Sequence, residues 1–260
     1  MIRAPRCTRE YLSLVTLLLT LALVPLYCAA HSRPQSVPQA LTADQIVSEM
    51  VSRNKMRAAA LPDYSMRQIC SLQYRGFPSD RSGEMILNVH YTAGGKKEYT
   101  LVSQSGSKLI VNRVLKRLLE SEQEAQSAKN RQETALTPDN YTFSLAGEKT
   151  TPQGRYYILG AEPKIKNKLL FRGEVWVDAS DFAVARIVAQ PAKNPSFWIT
   201  DTHIEQQYEK FGSFWLPVQN QSTSRIRVVG GMATLLIQYK DYSIAGNLKP
   251  GMQHQAATAQ

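Results

Sequence analysis

The stretch from 171 to 242 constrains the fold most, because it reads as one continuous β-meander. Residues 171–178 (FRGEVWVD) form a strand, Ala179 and Ser180 supply a short turn between two aspartates, and 182–189 (FAVARIVA) run back. A breaker-rich loop, 191–196 (PAKNPS), leads into a strand over 197–209, closed by a turn at Gly212-Ser213. A strand over 214–229 follows, then Gly230-Gly231, then a strand over 232–244. Runs rich in Val, Ile, Thr and aromatics between Gly, Pro, Asn and Ser are strand signals. A Gly-Gly pair between two such runs suits a turn of positive φ. So long a twisted sheet buries one face, and the rest of the chain must supply what covers it.

The upstream residues offer both helices and more strands. Thr42 and Gln45 have the spacing of a capping box, and Ile46, Val47, Met50 and Val51 make one apolar stripe before Leu61-Pro62 ends the helix. Residues 63–75 read as a strand and 76–83 as a loop. Over 84–92, Met85, Leu87, Val89 and Tyr91 alternate with a mainly polar set, so the first set faces an apolar layer. Gly94-Gly95 turn the chain into a strand over 97–104. A second helix is expected from 107 to 126, with Leu109, Ile110, Val114, Leu115 and Leu118 as its stripe. Arg113, Lys116 and Arg117 lie early in it and Glu120, Glu122 and Glu124 late, against the helix dipole. Residues 128–140 are polar and expected as a loop, and 141–149 with 155–163 form another hairpin. The sum is roughly ten strands and two helices, an α+β fold dominated by one antiparallel sheet.

Composition bears on compartment and partners. The formal charge of +10 favours anionic partners. Nucleic acid is not among those expected, because no helix-turn-helix pattern and no stacking motif of aromatics with Arg accompanies the charge. Residues 1–30 read as a signal peptide: Arg3, Arg6 and Arg9 precede an apolar run over 12–24, and Cys28-Ala29-Ala30 offer small residues for cleavage before His31. The run is short for a membrane span, which takes about 20 apolar residues. A lipoprotein acylated on Cys28 is the alternative, disfavoured by the bulk of Tyr27. Of the three cysteines only Cys70 lies beyond the signal segment, so no disulfide within the exported chain is expected. Residues 31–41 read as a Pro/Gln/Ser linker, 42–244 as the folded domain and 245–260 as a disordered polar tail.

Catalytic signals are thin. Asp201, His203 and Glu205 share one face of a strand and could form a metal or acid/base set, the reading of an exported hydrolase. A solvated polar face explains them better, with Trp198, Ile204 and Tyr208 on the expected buried side. Cys70 reads as a small buried residue, and Asp178 and Asp181 as turn residues. No catalytic residue, metal or cofactor is therefore expected. The remaining signal is aromatic: Trp176, Phe197, Trp198, Phe214 and Trp215 concentrate in the meander. They suit either an ordinary core or an apolar cavity under a curved sheet closed by the two helices. The candidate cavity residues are Leu87, Val89, Tyr91, Trp176, Trp198, Phe214 and Trp215, with Ile46 and Met50 on a lid helix. At about 0.8 kcal/mol per buried CH₂, such a cavity could hold a long acyl chain with on the order of 10 kcal/mol before ordering costs.

The order of signal peptide, long helix, strands, interposed helix and meander resembles the LolA/LolB/RseB-like superfamily of periplasmic carriers and sensors. GEVWVDASDFAVARI resembles the strand-turn-strand of that family, and NPSFWI, FWLPVQNQS and LLIQYKDY resemble segments of outer-membrane lipoprotein-sorting proteins. The resemblance spans roughly residues 42–244. It implies a curved half-barrel with helices on its concave side, a periplasmic location and binding of lipid or lipoprotein acyl chains; a monomer is expected. It also implies an Arg that holds the lid helix, for which Arg67, Arg75 and Arg81 are candidates. An RseB-like sensor that binds envelope or outer-membrane proteins is the alternative.

Overall fold

Alternation along the strands and apolar stripes on the helices sort the chain into one sheet and its cover. The computed structural model describes residues 40–194, 197–227 and 230–245. The expected signal peptide, most of the linker and the tail lie outside the described residues. Helix α1 (Ala43–Ala60) precedes strands β1 (Tyr64–Arg75), β2 (Arg81–Thr92) and β3 (Lys96–Gly106). Helix α2 follows as one helical run of three parts, Lys108–Ile110, Val111–Leu115 and Lys116–Ala125. A short helix α3 (Ala128–Thr134) leads to β4 (Tyr141–Thr151), β5 (Gly154–Pro163), β6 (Phe171–Asp178) and β7 (Val184–Pro191). The last three strands are β8 (Ile199–Phe211), β9 (Phe214–Ile226) and β10 (Met232–Ile244). All ten lie in one open, curved antiparallel sheet of order β3-β2-β1-β10-β9-β8-β7-β6-β5-β4. The α+β class read from the sequence is the class observed.

Register shows which side chains share a face. Met85, Cys70, Ile237, Asn220, Gln206, Ile187, Val175, Leu159 and Leu145 form one row across nine strands. This inner face is apolar at both ends and polar in the middle, on β9 and β8. Two separate cores result. The first gathers Met66, Cys70, Leu87, Val89 and Ile237 under Ile110, Val111 and Leu115 of α2. The second gathers Tyr157, Leu159, Val175 and Val177 under Ile46, Val47 and Met50 of α1. Between them Asn220 donates to Gln206 at 3.0 Å, and the Thr202 and Ser224 hydroxyls lie 2.8 Å apart.

Local chemistry explains the details. Thr42 caps α1 as its spacing predicts: its N–H donates to Gln45 Oε1 at 2.9 Å, and the Gln45 N–H donates to Thr42 Oγ1 at 3.3 Å. The stripe of α2 differs from the expected one. Val111–Leu115 is a π-helical turn, whose extra residue per turn rotates the face, so Ile110, Val111 and Leu115 are buried and Leu109 is half exposed. Gly83 admits this helix, since a Cβ there would stand 2.7 Å from Ile110 Cγ2. Residues 128–134, expected as loop, form α3. Ser127 caps it by accepting from the Asn130 N–H at 3.2 Å, and the segment is too polar to show an apolar period. Register shifts at Ser65/Arg67, Ile86/Leu87, Leu145/Gly147, Trp176/Val177 and Thr200/His203 bend the strands.

Candidate functional site

A cavity of about 460 Å³ opens where the two cores fail to meet. Its floor is Ile187 of β7, Gln206 and Tyr208 of β8, and Trp215 and Leu216 of β9. Its roof is the C-terminal half of α1, through Asn54, Arg57 and Ala58, with Leu61 just after the helix. The first three turns of α1 bury Ile46, Val47 and Met50, whereas the last turns carry no fully buried residue. One helix thus anchors with one end and overhangs with the other.

The overhang rests on the turn between β6 and β7. Asp178 builds that turn, its Oδ1 accepting from the Ser180 N–H at 2.9 Å and the Asp181 N–H at 3.1 Å and bonding the Ser180 hydroxyl. Phe182 sits at φ 57, a conformation costly for a bulky side chain, which is why β7 starts at Val184 and not at Phe182 as the sequence suggested. The Arg53 guanidinium lies 4.7 Å over the Phe182 ring. Arg57 donates to the Asp181 carbonyl at 3.0 Å and to Asn54 Oδ1 at 2.8 Å, and burial lowers its pKa, opposed by the charge of Asp181. Asp181 also accepts from Lys210 Nζ and from Trp215 Nε1, each at 2.9 Å. Burial pushes the Asp181 carboxyl up, but these two hydrogen bonds, the Ala183 N–H and the charge of Lys210 outweigh it, so its pKa falls below the ordinary value. The side chain holding the helix is therefore Arg57, on the helix itself. Of the arginines considered from the sequence, Arg67 pairs with Asp241 at 3.4 Å, and Arg75 and Arg81 lie at the far ends of β1 and β2.

The sequence candidates fall in five places. Phe214 and Trp215 line the cavity. Leu87, Val89 and Tyr91 are buried in the first core beneath α2, and Ile46 and Met50 are buried where α1 packs on the second. Trp176 lies on the outer face, its register partner being Arg186, with Lys149 and Arg186 each 5.1 Å over its ring. Trp198 is not on a buried side: it is 55% exposed, because β8 begins only at Ile199. The expected single cavity is thus replaced by two filled cores and a gap between them.

The acidic cluster on β8 is dispersed. Asp201 sits at φ 49 within the register shift and lies 3.6 Å from Arg225, while Glu205 pairs with Arg186 at 2.9 Å. Gln207 donates to Glu205, and this bond, against burial and together with Arg186, lowers the Glu205 pKa. No group of three His, Cys, Asp or Glu among the described residues could hold a metal. Cys70 is buried in the first core, and burial pushes its thiol up to about 11, opposed by the Gln68 hydrogen bond and reinforced by the charge of Glu122. Sequence reasoning missed Arg57, Gln206 and Tyr208. Their polarity was visible, but nothing local showed that the two cores would leave them beside a void.

No protein-family model and no curated protein matches the sequence. The fold is similar to solved structures. One is a DUF1329 family protein from Desulfovibrio piger, with 13% identity, 81% of this chain and 96% of that chain covered, and a TM-score of 0.40. Another is a putative outer membrane lipoprotein-sorting protein domain from Vibrio parahaemolyticus, with 11% identity, coverages of 78% and 93%, and a TM-score of 0.41. A third is a LolA superfamily protein from Nitrosomonas europaea, with 12% identity, coverages of 81% and 96%, and a TM-score of 0.34.

Proposed function

We propose that this protein is a periplasmic binding protein whose cavity takes an acyl chain of a lipid or lipoprotein, without catalysis. The observation that carries the reading is the void between the cores, roofed by the overhanging end of α1. Its volume of about 460 Å³ falls within the range of about 300–1,000 Å³ for small-ligand sites. Phe171, Val184, Ile187 and Leu216 supply apolar walls, and Asn54, Arg57 and Gln206 supply polar groups for a ligand head. The tie from Arg57 to Asp181 holds one end of α1 over the cavity, and releasing it would free that end while Met50 stays buried at the other.

The test is native mass spectrometry of the processed protein purified from periplasm, with titration of a fluorescent fatty acid. A lipid-sized or acyl-peptide adduct, displaced by the probe, is expected. Val184→Trp, which fills the cavity, is expected to abolish probe uptake with the fold retained by circular dichroism. A clean apo mass with no probe uptake overturns the reading, and co-purification of an envelope protein with that apo form favours the sensor alternative.

A further inference from the structure

The ends of β1, β10, β9 and β8 meet at one rim of the sheet. The Tyr74 hydroxyl there lies 2.7 Å from the Phe77 carbonyl and 2.9 Å from the Gly230 carbonyl. The Ile226 N–H donates to the Gly231 carbonyl at 3.0 Å, and the Arg227 N–H to the Trp198 carbonyl at 2.8 Å. Three connections that are distant in sequence are thus neighbours. Among their described residues Phe77 is 74% exposed and Phe197 68%, beside the exposed Trp198. Behind them an apolar groove of about 510 Å³ runs on the inner face, between the start of α2 and the sheet, with Leu72, Leu235 and Ile226 on one side and Leu109 and Val114 on the other. Leu109 is half exposed in the groove, and Met232, on the opposite face of the sheet, adds exposed apolar surface at the rim.

Charge at this rim has one dominant sign. Arg75 and Met232 are register partners, as are Met232 and Arg225. Arg81 lines the groove, and the Arg227 guanidinium lies 5.0 Å over the Phe197 ring. The carboxylates among them are engaged: Asp80 accepts from the Gly76 N–H at 3.0 Å, and Asp201 lies 3.6 Å from Arg225.

We propose that this rim docks the protein on an anionic phospholipid bilayer. Phe77, Phe197 and Trp198 enter the interfacial layer, where amphipathic aromatic rings are favoured. Arg75, Arg81, Arg225 and Arg227 meet lipid phosphates, which attract clustered basic residues. Monomeric proteins rarely expose so large an apolar cluster without a partner. A symmetric pairing with a second copy would bring these arginines against their own images, so charge selects an anionic surface. The proposal stands apart from what the central cavity holds.

Co-flotation of the processed protein with vesicles tests it. Binding is expected to vesicles of phosphatidylethanolamine with phosphatidylglycerol, little to phosphatidylcholine alone, and less as salt rises. Phe197→Ser with Trp198→Ser is expected to weaken binding about tenfold or more, as is Arg225→Glu with Arg227→Glu. Leu101→Ser with Val102→Ser, two exposed apolar residues of β3, is expected to leave it unchanged. Brominated lipid is expected to quench the emission of the wild type and not that of Trp198→Phe. All these side chains are exposed, so an unchanged thermal melt separates docking from folding. Failure to bind the phosphatidylglycerol vesicles, or an equal loss in the β3 variant, overturns the proposal. So does a wild-type dimer that the Phe197/Trp198 variant dissolves.

Discussion

The two cores are covered by helices that behave differently. Helix α2 lies along the first core through Ile110, Val111 and Leu115 and is pinned further on, where Glu122 accepts from the buried Gln68 amide at 3.1 and 3.2 Å. Helix α1 sinks only its first turns into the second core, and the rest stands over the cavity on Arg53 and Arg57. The contrast teaches that a helix whose later turns still pack on the sheet, as Leu118 and Leu119 of α2 do on the first core, is part of the core, whereas one whose later turns stand over a cavity can act as a cover. The polar residues of β8 and β9 keep the cores apart, because Gln206, Asn220, Ser222 and Ser224 give neither helix an apolar surface to spread onto.

The largest effects probe whether the cores are one unit. Leu115→Ala and Met50→Ala, each removing a fully buried side chain, should each cost about 2–5 kcal/mol. Because backbone pairing is continuous through β8 and β9, urea unfolding should show one transition moved by both variants, with additive losses in the double variant. Two transitions, each moved by one variant only, would break the cores into separate folding units. Next in size, Glu122→Leu leaves the buried Gln68 amide with only its long bond to Cys70 Sγ and should cost about 1–3 kcal/mol, largely recovered by adding Gln68→Leu. No recovery would mean that the pair does not pin α2.

Smaller effects sharpen the difference within α1. Arg57→Ala should cost about 1.5 kcal/mol or less and speed amide exchange over 53–60 more than over 44–50. Equal acceleration along the helix would remove the distinction between anchor and overhang. Thr42→Ala loses the cap at the anchored end and should cost about 1 kcal/mol in chemical denaturation, with no change in probe uptake. The smallest effect concerns acid. The folded pKa of Asp181 is depressed, so its contribution is present above the unfolded value of 3.8 and is lost as pH falls through the folded one. Asp181→Asn should flatten that part of the stability-pH curve. A curve unchanged by the substitution would detach the turn from acid stability.

Legibility followed the range of the interaction. Met85, Leu87, Val89 and Tyr91 announced the inner face of β2, and Thr42 with Gln45 announced the start of α1, because pleat and cap are written in adjacent residues. Asp178 and Asp181 accept backbone N–H groups in the β6–β7 turn, the turn role that their position suggests. The reading of Trp198 as buried failed because an alternation carried one strand too early crosses the true start of β8, and Leu109 failed because a π-helical turn resets the helical phase. Of the candidate site, Phe214 and Trp215 were found by composition, whereas Arg57, Asp181 and Gln206 meet only after α1, the β6–β7 turn and β8 are brought together.

The sequence by itself determined the strands, the helix cap and an α+β fold with one dominant sheet. Each of these depends on side-chain period or turn chemistry within a few residues. Only the tertiary structure decided that the inner face would divide into two cores with a polar strip and a void between them. Which face of β8 and β9 points inward is set by pairing register and by bulges such as that at Thr200/His203, and a single-residue shift exchanges the faces. A void is a property of what neighbouring elements leave unfilled, so no local stretch of the chain records it.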